Sequence, residues 1–157
     1  MKRIEKIRIF YQENKKALYT YALSLTRNRE SAEDAMHTAF CKLLNRPMLP
    51  ISLRPYVFRC VRNAAIDDWR GREASKEALF DLEAPSMLPE DRALWNQIGE
   101  LLFELSGDER ETIILKALHE FTFQEIATLR RTPIRTVISW YRRGLEKLKN
   151  MIGEEVK

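Results

Sequence analysis

The sequence predicts an all-α protein of two small helical domains joined by an acidic linker, the C-terminal one containing a helix-turn-helix. Three observations predict it. Apolar residues recur every three or four positions with almost no strand-like alternation, and only five of the 157 residues are glycine. Polar pairs spaced for helix capping precede several of these stripes. Periodicity fades once, between Gly71 and Arg92, dividing the chain into residues 1–72, a linker at 73–92 and a second domain at 93–157. Each domain is near roughly 65 residues, a size at which a single core is marginally stable.

The first helix is expected from Ile4 to Thr26, with Asn14 as the place for a bend and Ile7, Phe10, Leu18, Tyr21, Ala22 and Leu25 as its apolar residues. Arg27 to Arg29 interrupts it. Ser31 is the expected cap of the second helix, with Asp34 at the capping-box position. Ala32, Ala35, Met36, Ala39, Phe40, Leu43 and Leu44 repeat with helical spacing and form the stripe to be buried. Three prolines between Asn45 and Pro55 make a loop, after which Ser52 or Leu53 opens a third helix that turns Val57, Cys60, Val61 and Ala64 inward.

Between Gly71 and Arg92 the acids Glu73, Glu77, Asp81, Glu83, Glu90 and Asp91 outnumber Arg72, Lys76 and Arg92, and Pro85 and Pro89 appear. This reads as an acidic linker. Leu94, Ile98, Leu101, Leu102 and Leu105 then form one helical stripe, and Ser106 with Glu109 caps a helix through Ile113, Ile114, Ala117 and Leu118.

Residues 122–143 complete the second domain as two short helical patterns joined by a tight polar turn. Thr122 and Glu125 form a capping box for the first, and Thr132 is placed to cap the second with Pro133 at its first position. Ala127, beside Ile126, is small where the second helix must cross. On the last helix Ile134, Val137, Ile138, Tyr141, Leu145, Leu148 and Ile152 share a stripe, and the arginines lie elsewhere. Its outer face presents Arg135, Thr136, Ser139, Trp140, Arg142 and Arg143, side chains able to pair with guanine edges, touch a thymine methyl or bind phosphate in a major groove. Arg130 and Arg131 in the turn suit phosphate contacts. The alternative is a solvated cationic face, which the capping and the turn make the weaker reading. Trp140 either stacks on a sugar or base or packs against the preceding helix.

Composition bounds the rest. The formal charge is +4, and cations concentrate between Arg130 and Lys149, where the one acid is Glu146. Cys41 and Cys60 share no close spacing and no signal peptide is evident, so a reduced, cytoplasmic protein is expected. No apolar run approaches the roughly 20 residues needed to cross a bilayer, so no membrane insertion is expected. His37 and Cys41 lie four apart on one helix face, but two ligands do not complete a zinc site. His119 near a helix end complements the helix dipole. Without a phosphate-binding glycine loop, a nucleophile elbow or a convergent acid/base pair, neither an enzyme nor a cofactor is expected.

Taken together the two halves resemble the bacterial RNA polymerase sigma factors, specifically the extracytoplasmic function (ECF) group. In the N-terminal half the resemblance rests on Ser31 through Phe40, similar to the family's Ala-Glu-Asp helix, and on Leu53 through Arg70, similar to its promoter-reading helix. Leu105 through Lys149 carries it in the C-terminal half. The resemblance implies core RNA polymerase and promoter DNA, both duplex and melted single strand, as partners, and allows an anti-sigma factor. It places Glu33, Asp34 and His37, with Phe40 nearby, on the polymerase clamp helices. Helix-dipole complementation by Glu33 and Asp34 is compatible with that role. It places Arg59, Arg62, Asn63, Ile66 and Arg70 beside the melted minus-ten element, with the Asn45–Ile51 loop near a flipped base. Cations beside apolar groups suit single-stranded DNA. Trp69 and Phe58 either stack on bases or, the stronger reading, pack against neighbouring helices. The linker would pass through the polymerase cleft.

Four residues depart from the family pattern: His37 stands where glutamine is usual, Arg131 and Arg135 where glycines are common, and Trp140 where an arginine is frequent. If position 131 needs a positive φ, arginine there is strained. Two other readings compete: a helix-turn-helix regulator that binds duplex DNA without engaging polymerase, and a helical protein that sequesters a partner.

Overall fold

The computed structural model describes residues 2–69 and 99–155, and every regular element among them is helical. The chain forms two compact units, divided between Leu79 and Phe80.

In the N-terminal unit α1 (Arg3–Thr26), α2 (Arg29–Asn45) and α3 (Leu53–Trp69) all pack against one another. Helix α1 runs unbroken through Asn14, whose side-chain amide donates to the Phe10 carbonyl at 3.0 Å. The polar group is satisfied by the helix backbone itself, so no bend is needed. Arg27 ends α1 in the left-handed region at φ 53°, its N–H on the Leu23 carbonyl. The cap of α2 differs from the expectation: Asn28, in extended backbone, accepts from the Ser31 amide at 2.9 Å, and Ser31 is buried inside the helix. Asn28 is the first residue after the left-handed turn whose side chain reaches an orphan amide, so it takes the cap and α2 begins at Arg29.

The core centres on Tyr21 and Phe58, both fully buried with ring centroids 5.2 Å apart. Ala32, Ala35 and Ala39 are buried along α2, where small side chains let α1 and α3 approach closely. Leu44, expected on that stripe, is instead exposed. It sits in the last turn, where Arg3 donates to the Leu44 carbonyl at 3.0 Å and to the Arg46 carbonyl, satisfying the open C-terminal end of α2.

In the C-terminal unit a helical turn at 99–102 precedes α4 (Gly107–Ile113). The expected capping box is present: Glu109 N–H donates to Ser106 Oγ at 3.2 Å and Ser106 N–H to Glu109 Oε1 at 3.1 Å. Helix α4 continues directly into a π-helical turn, Ile114–Leu118, and Glu120 reverses the chain at φ 58°. Helix α5 (Phe123–Arg130) begins with the second expected box, Glu125 N–H to Thr122 Oγ1 at 3.1 Å and Thr122 N–H to Glu125 Oε1 at 3.0 Å. At α6 (Ile134–Glu155) the expectation needs correcting. Thr132 turns its hydroxyl back to the Arg130 carbonyl, and Pro133 precedes the first helical residue, its carbonyl accepting from Thr136 and Val137.

The inner face of α6 is also rotated from the predicted stripe. Val137 and Gly144 are buried and Ile138, Tyr141 and Leu148 half-buried, whereas Ile134, Leu145 and Ile152 are exposed. Gly144 is the reason. A Cβ there would lie 2.5 Å from Ile113 Cδ1 and 3.4 Å from Glu109 Cβ, so α6 meets α4 through bare backbone. One turn on, Lys147 Nζ donates to both Glu109 carboxylate oxygens, at 2.8 and 3.2 Å. Burial alone would raise the Glu109 carboxyl, but hydrogen bonds from Lys147 and Ser106, with the Lys147 charge, outweigh it and hold it below its ordinary value.

Two outcomes follow from this crossing. Gly144→Val is expected to cost about 2–3 kcal/mol by overpacking, measured by urea denaturation of the full chain. Because the Glu109 pKa is depressed by folding, its contribution is present above the unfolded value of about 4.3 and is lost as pH falls through the folded value. Glu109→Gln should therefore flatten the acid limb of stability against pH and lower stability at neutral pH by about 1 kcal/mol; an unchanged acid limb would remove the pair from this role.

Candidate nucleic-acid interface

The turn between α5 and α6 is built around Arg131, which adopts φ 51° and ψ 47° with its N–H on the Ala127 and Thr128 carbonyls. The Thr132 amide then reaches the Ala127 carbonyl at 2.9 Å, closing the helix end. An L-residue is sterically strained in this region, so arginine holds a conformation that glycine adopts freely. Ile126 and Ala127 are buried on α5, as is Val137 on α6. Phe123 meets Tyr141 edge-on at 5.2 Å, with Lys116 Nζ 4.6 Å from the Phe123 centroid. Rings and small side chains thus seat α6 on α5 while its other face stays outward.

That outer face carries Arg135, Ser139, Arg142 and Arg143 exposed, with Thr136 and Trp140 half-buried. Positions 136, 139, 140 and 143 follow one helix face, and Arg131 is exposed in the turn. Arg130 differs from the rest of the expected set. Its side chain is only 8% exposed, and Nη2 donates to Asp108 Oδ1 at 2.6 Å while Nη1 lies 3.1 Å from Glu111 Oε2. The second contact is in ion-pair reach but off the hydrogen-bond line, and Nε and Nη1 make no hydrogen bond. The guanidinium also lies 4.8 Å from the centre of the Trp140 ring. So Arg130 ties α5 to α4 from the inside, away from the exposed position its sequence context suggested.

On α3, Arg59, Arg62 and Ile66 are half-buried and Asn63 is exposed, at spacings that place them on one side of the helix. Phe58 belongs to the core, which removes it as a base-stacking ring. Arg54 lies over that ring at 5.3 Å and Arg46 over Tyr56 at 4.8 Å. Met48 and Ile51 project from the loop between α2 and α3. Arg70, the Trp69 side chain, the linker at 73–92, and Leu94 and Ile98 lie outside the described residues.

The outer side of α2 presents Glu33, Asp34 and His37, all exposed, opposite Ala32, Ala35, Ala39 and Leu43. Phe40 leans on α1, edge-on to Tyr11 at 5.1 Å. His37 Nε2 and Cys41 Sγ approach to 3.5 Å, and among the described residues no three His, Cys, Asp or Glu side chains gather as metal ligands. No described helix is long and apolar enough to cross a membrane.

Comparison with known proteins assigns both units. The profile for Sigma-70 region 2 matches residues 10–75 and that for Sigma-70, region 4 matches residues 95–148. The chain belongs to the sigma-70 family. RNA polymerase sigma factor CarQ of Myxococcus xanthus is 29% identical over 138 residues, covering 83% of this chain and 79% of that protein. The sigma factor RpoE of Bartonella quintana, solved with the anti-sigma factor NepR, shares the fold, with a TM-score of 0.71 over 93% of this chain and 98% of its own at 22% identity. This is a sigma factor of the ECF type, which directs RNA polymerase to promoters in transcription initiation. Region 2 corresponds to the unit of α1 to α3, and region 4 to the unit holding the helix-turn-helix.

Sequence reasoning missed Gly144 and the inward turn of Arg130. A signal existed for the first, since a lone glycine within a strong helical pattern often marks a close backbone approach. For the second, only the acids of α4 hinted at partners. The left-handed turn carries its own test: Arg131→Gly should raise the stability of the chain by roughly 0.5–1 kcal/mol, the relief of backbone strain less the added freedom of the unfolded glycine, in urea denaturation.

Proposed function

We propose a division of labour among the surfaces of this sigma factor. The exposed face of α6, with Arg135, Thr136, Ser139, Trp140, Arg142 and Arg143, enters the major groove of an upstream promoter element, and Arg131 binds phosphate beside it. Arg59, Arg62, Asn63 and Ile66 of α3, continued by Arg70, hold the melted downstream strand, with the loop carrying Met48 and Ile51 nearby. Glu33, Asp34 and His37 dock on the clamp helices of core RNA polymerase. Catalysis stays with the polymerase, the chain works in the cytoplasm, and an anti-sigma factor, as seen for the Bartonella relative, is a partner of the same surfaces.

The observation that carries this reading is the pairing, in one chain, of an arginine-bearing recognition helix with a second helical unit whose α3 sets cations beside an apolar residue. A duplex-binding regulator has no use for the second feature. A partner-sequestering protein has no use for the first.

Transcription in vitro with core polymerase and a promoter library tests it: the chain should confer initiation at a defined promoter class, and failure to direct initiation with any compatible polymerase sinks the reading. Arg143→Ala or Arg135→Ala should weaken upstream-element binding by about 1–3 kcal/mol where the side chain makes a base contact. Equal affinity and base preference in the variant would return that arginine to a solvated role.

A further inference from the structure

Arg130 and Trp140 form a unit that the division of labour above leaves unexplained. The Arg130 side chain is 8% exposed, and its guanidinium is anchored to Asp108 at 2.6 Å, close to Glu111 at 3.1 Å and 4.8 Å from the centre of the indole ring. Glu111 is itself buried. A cation held from one side by two carboxylates is a fixed platform, and a ring stacked on it has little freedom to rotate. Trp140 stands on the same helix face as Thr136, Ser139 and Arg143, and it remains part-exposed there.

We propose that Trp140 is a specificity-determining residue of the recognition helix, reading a thymine 5-methyl group in the major groove, and that Arg130 is its positioning residue rather than a DNA ligand. A flat apolar surface has no hydrogen bond to offer at the C4 or C6 edge of a base pair, and the one apolar group the major groove displays is the thymine methyl. The indole N–H is a donor only, so its orientation decides whether ring face or N–H meets the groove. The Arg130 platform fixes that orientation. An arginine whose charge is already matched by Asp108 and Glu111 adds little to phosphate attraction, which separates it from Arg131 in the same turn.

The inference rests on α6 reading promoter DNA, and the experiment distinguishes the two. Holoenzyme assembled from the full chain and core RNA polymerase selects promoters from a library randomised in the upstream element. In the selected duplex each thymine is then replaced in turn by deoxyuridine, which removes only the methyl group. One replacement is expected to lower affinity about fourfold, the worth of one buried methyl group at about 0.8 kcal/mol, and in Trp140→Ala the same replacement should cost nothing.

Arg130→Lys keeps a cation beside the carboxylates and loses the planar surface under the ring. It should keep the slope of log affinity against log salt while losing most of the deoxyuridine penalty; Arg131→Ala should instead reduce that slope by about one. A penalty that persists in Trp140→Ala, or no sensitive thymine at all, overturns the assignment of Trp140. A slope reduced by about one in Arg130→Lys makes Arg130 a phosphate ligand and overturns its positioning role, as does an undiminished penalty in that variant. If Arg130→Lys does not fold, Trp140→Phe decides: a smaller ring on the same platform should retain the penalty, and its loss counts against the stack. Selection of no promoter by the wild-type holoenzyme overturns the promoter-reading assignment itself, a result distinct from a promoter selected without a methyl penalty.

Discussion

Helix α4 is seven residues long, and its acidic first turns organise the whole C-terminal unit. Asp108 and Glu111 receive Arg130 from the end of α5, while Glu109 caps its own helix and receives Lys147 from α6. Ile113, at its far end, lies against the bare backbone of Gly144. Both helices of the helix-turn-helix are thus referred to one short element. The Arg130–Glu111 pair is buried on both sides, whereas Asp108 and Lys147 are each about half exposed; a solvent-exposed pair contributes at most about 1 kcal/mol, and replacing a whole buried pair by apolar groups is often neutral. These ions therefore contribute direction more than net stability: they set where α5 ends and how α6 crosses, and so which residues of α6 face outward.

The N-terminal unit solves the same problem by size rather than charge. Ala32, Ala35 and Ala39 remove bulk from the inner side of α2, so α1 and α3 close around Tyr21 and Phe58. A helix buried on alanines has its opposite side free for polar groups, and there Glu33, Asp34 and His37 stand exposed. Because the core needs only one side of α2 and one side of α3, the remaining sides are available for docking and for a strand without any loss of packing. The loop between them completes the arrangement, with Arg46 holding its start through the Met48 carbonyl at 3.2 Å.

Much of this was legible in the sequence because it is local. Capping boxes at Ser106 and Thr122 depend on residues three apart, and both are present as expected. The strained position of Arg131 was visible as arginine in a place suited to glycine, and its φ of 51° shows that strain. What failed depended on partners distant in sequence. Ser31 and Asp34 imitate a cap, but the left-handed residue at Arg27 hands that role to Asn28. Leu145 and Ile152 match the helical period of a buried stripe, and only the tertiary approach at Gly144 shows that the contact line runs to one side of them. Arg130 looked like its exposed neighbour because sequence order says nothing of carboxylates on another helix. The base- and polymerase-contacting roles lie a step further away, since they require a partner's surface as well as the chain's own.

Charge counting shows how far this matters for function. From Arg130 to Lys149 the sequence carries seven cations, but Arg130 turns inward to Asp108 and Glu111, and Lys147, though half exposed, is paired with Glu109; the other five, Arg131, Arg135, Arg142, Arg143 and Lys149, are exposed. Each phosphate neutralised contributes about −0.9 to the salt slope, so seven contacts would weaken binding by roughly 6,000-fold between 50 and 200 mM salt, and five by roughly 500-fold. The folded unit is thus a more moderate electrostatic binder than its sequence implies. Less of its affinity comes from phosphates, which are the same at every site, so a larger share must come from groups that distinguish one base pair from another. Under the proposed promoter reading by α6, a helix-turn-helix that commits one arginine of α5 and one lysine of α6 to its own scaffold, and sets an aromatic ring among the remaining cations, is weighted toward selectivity.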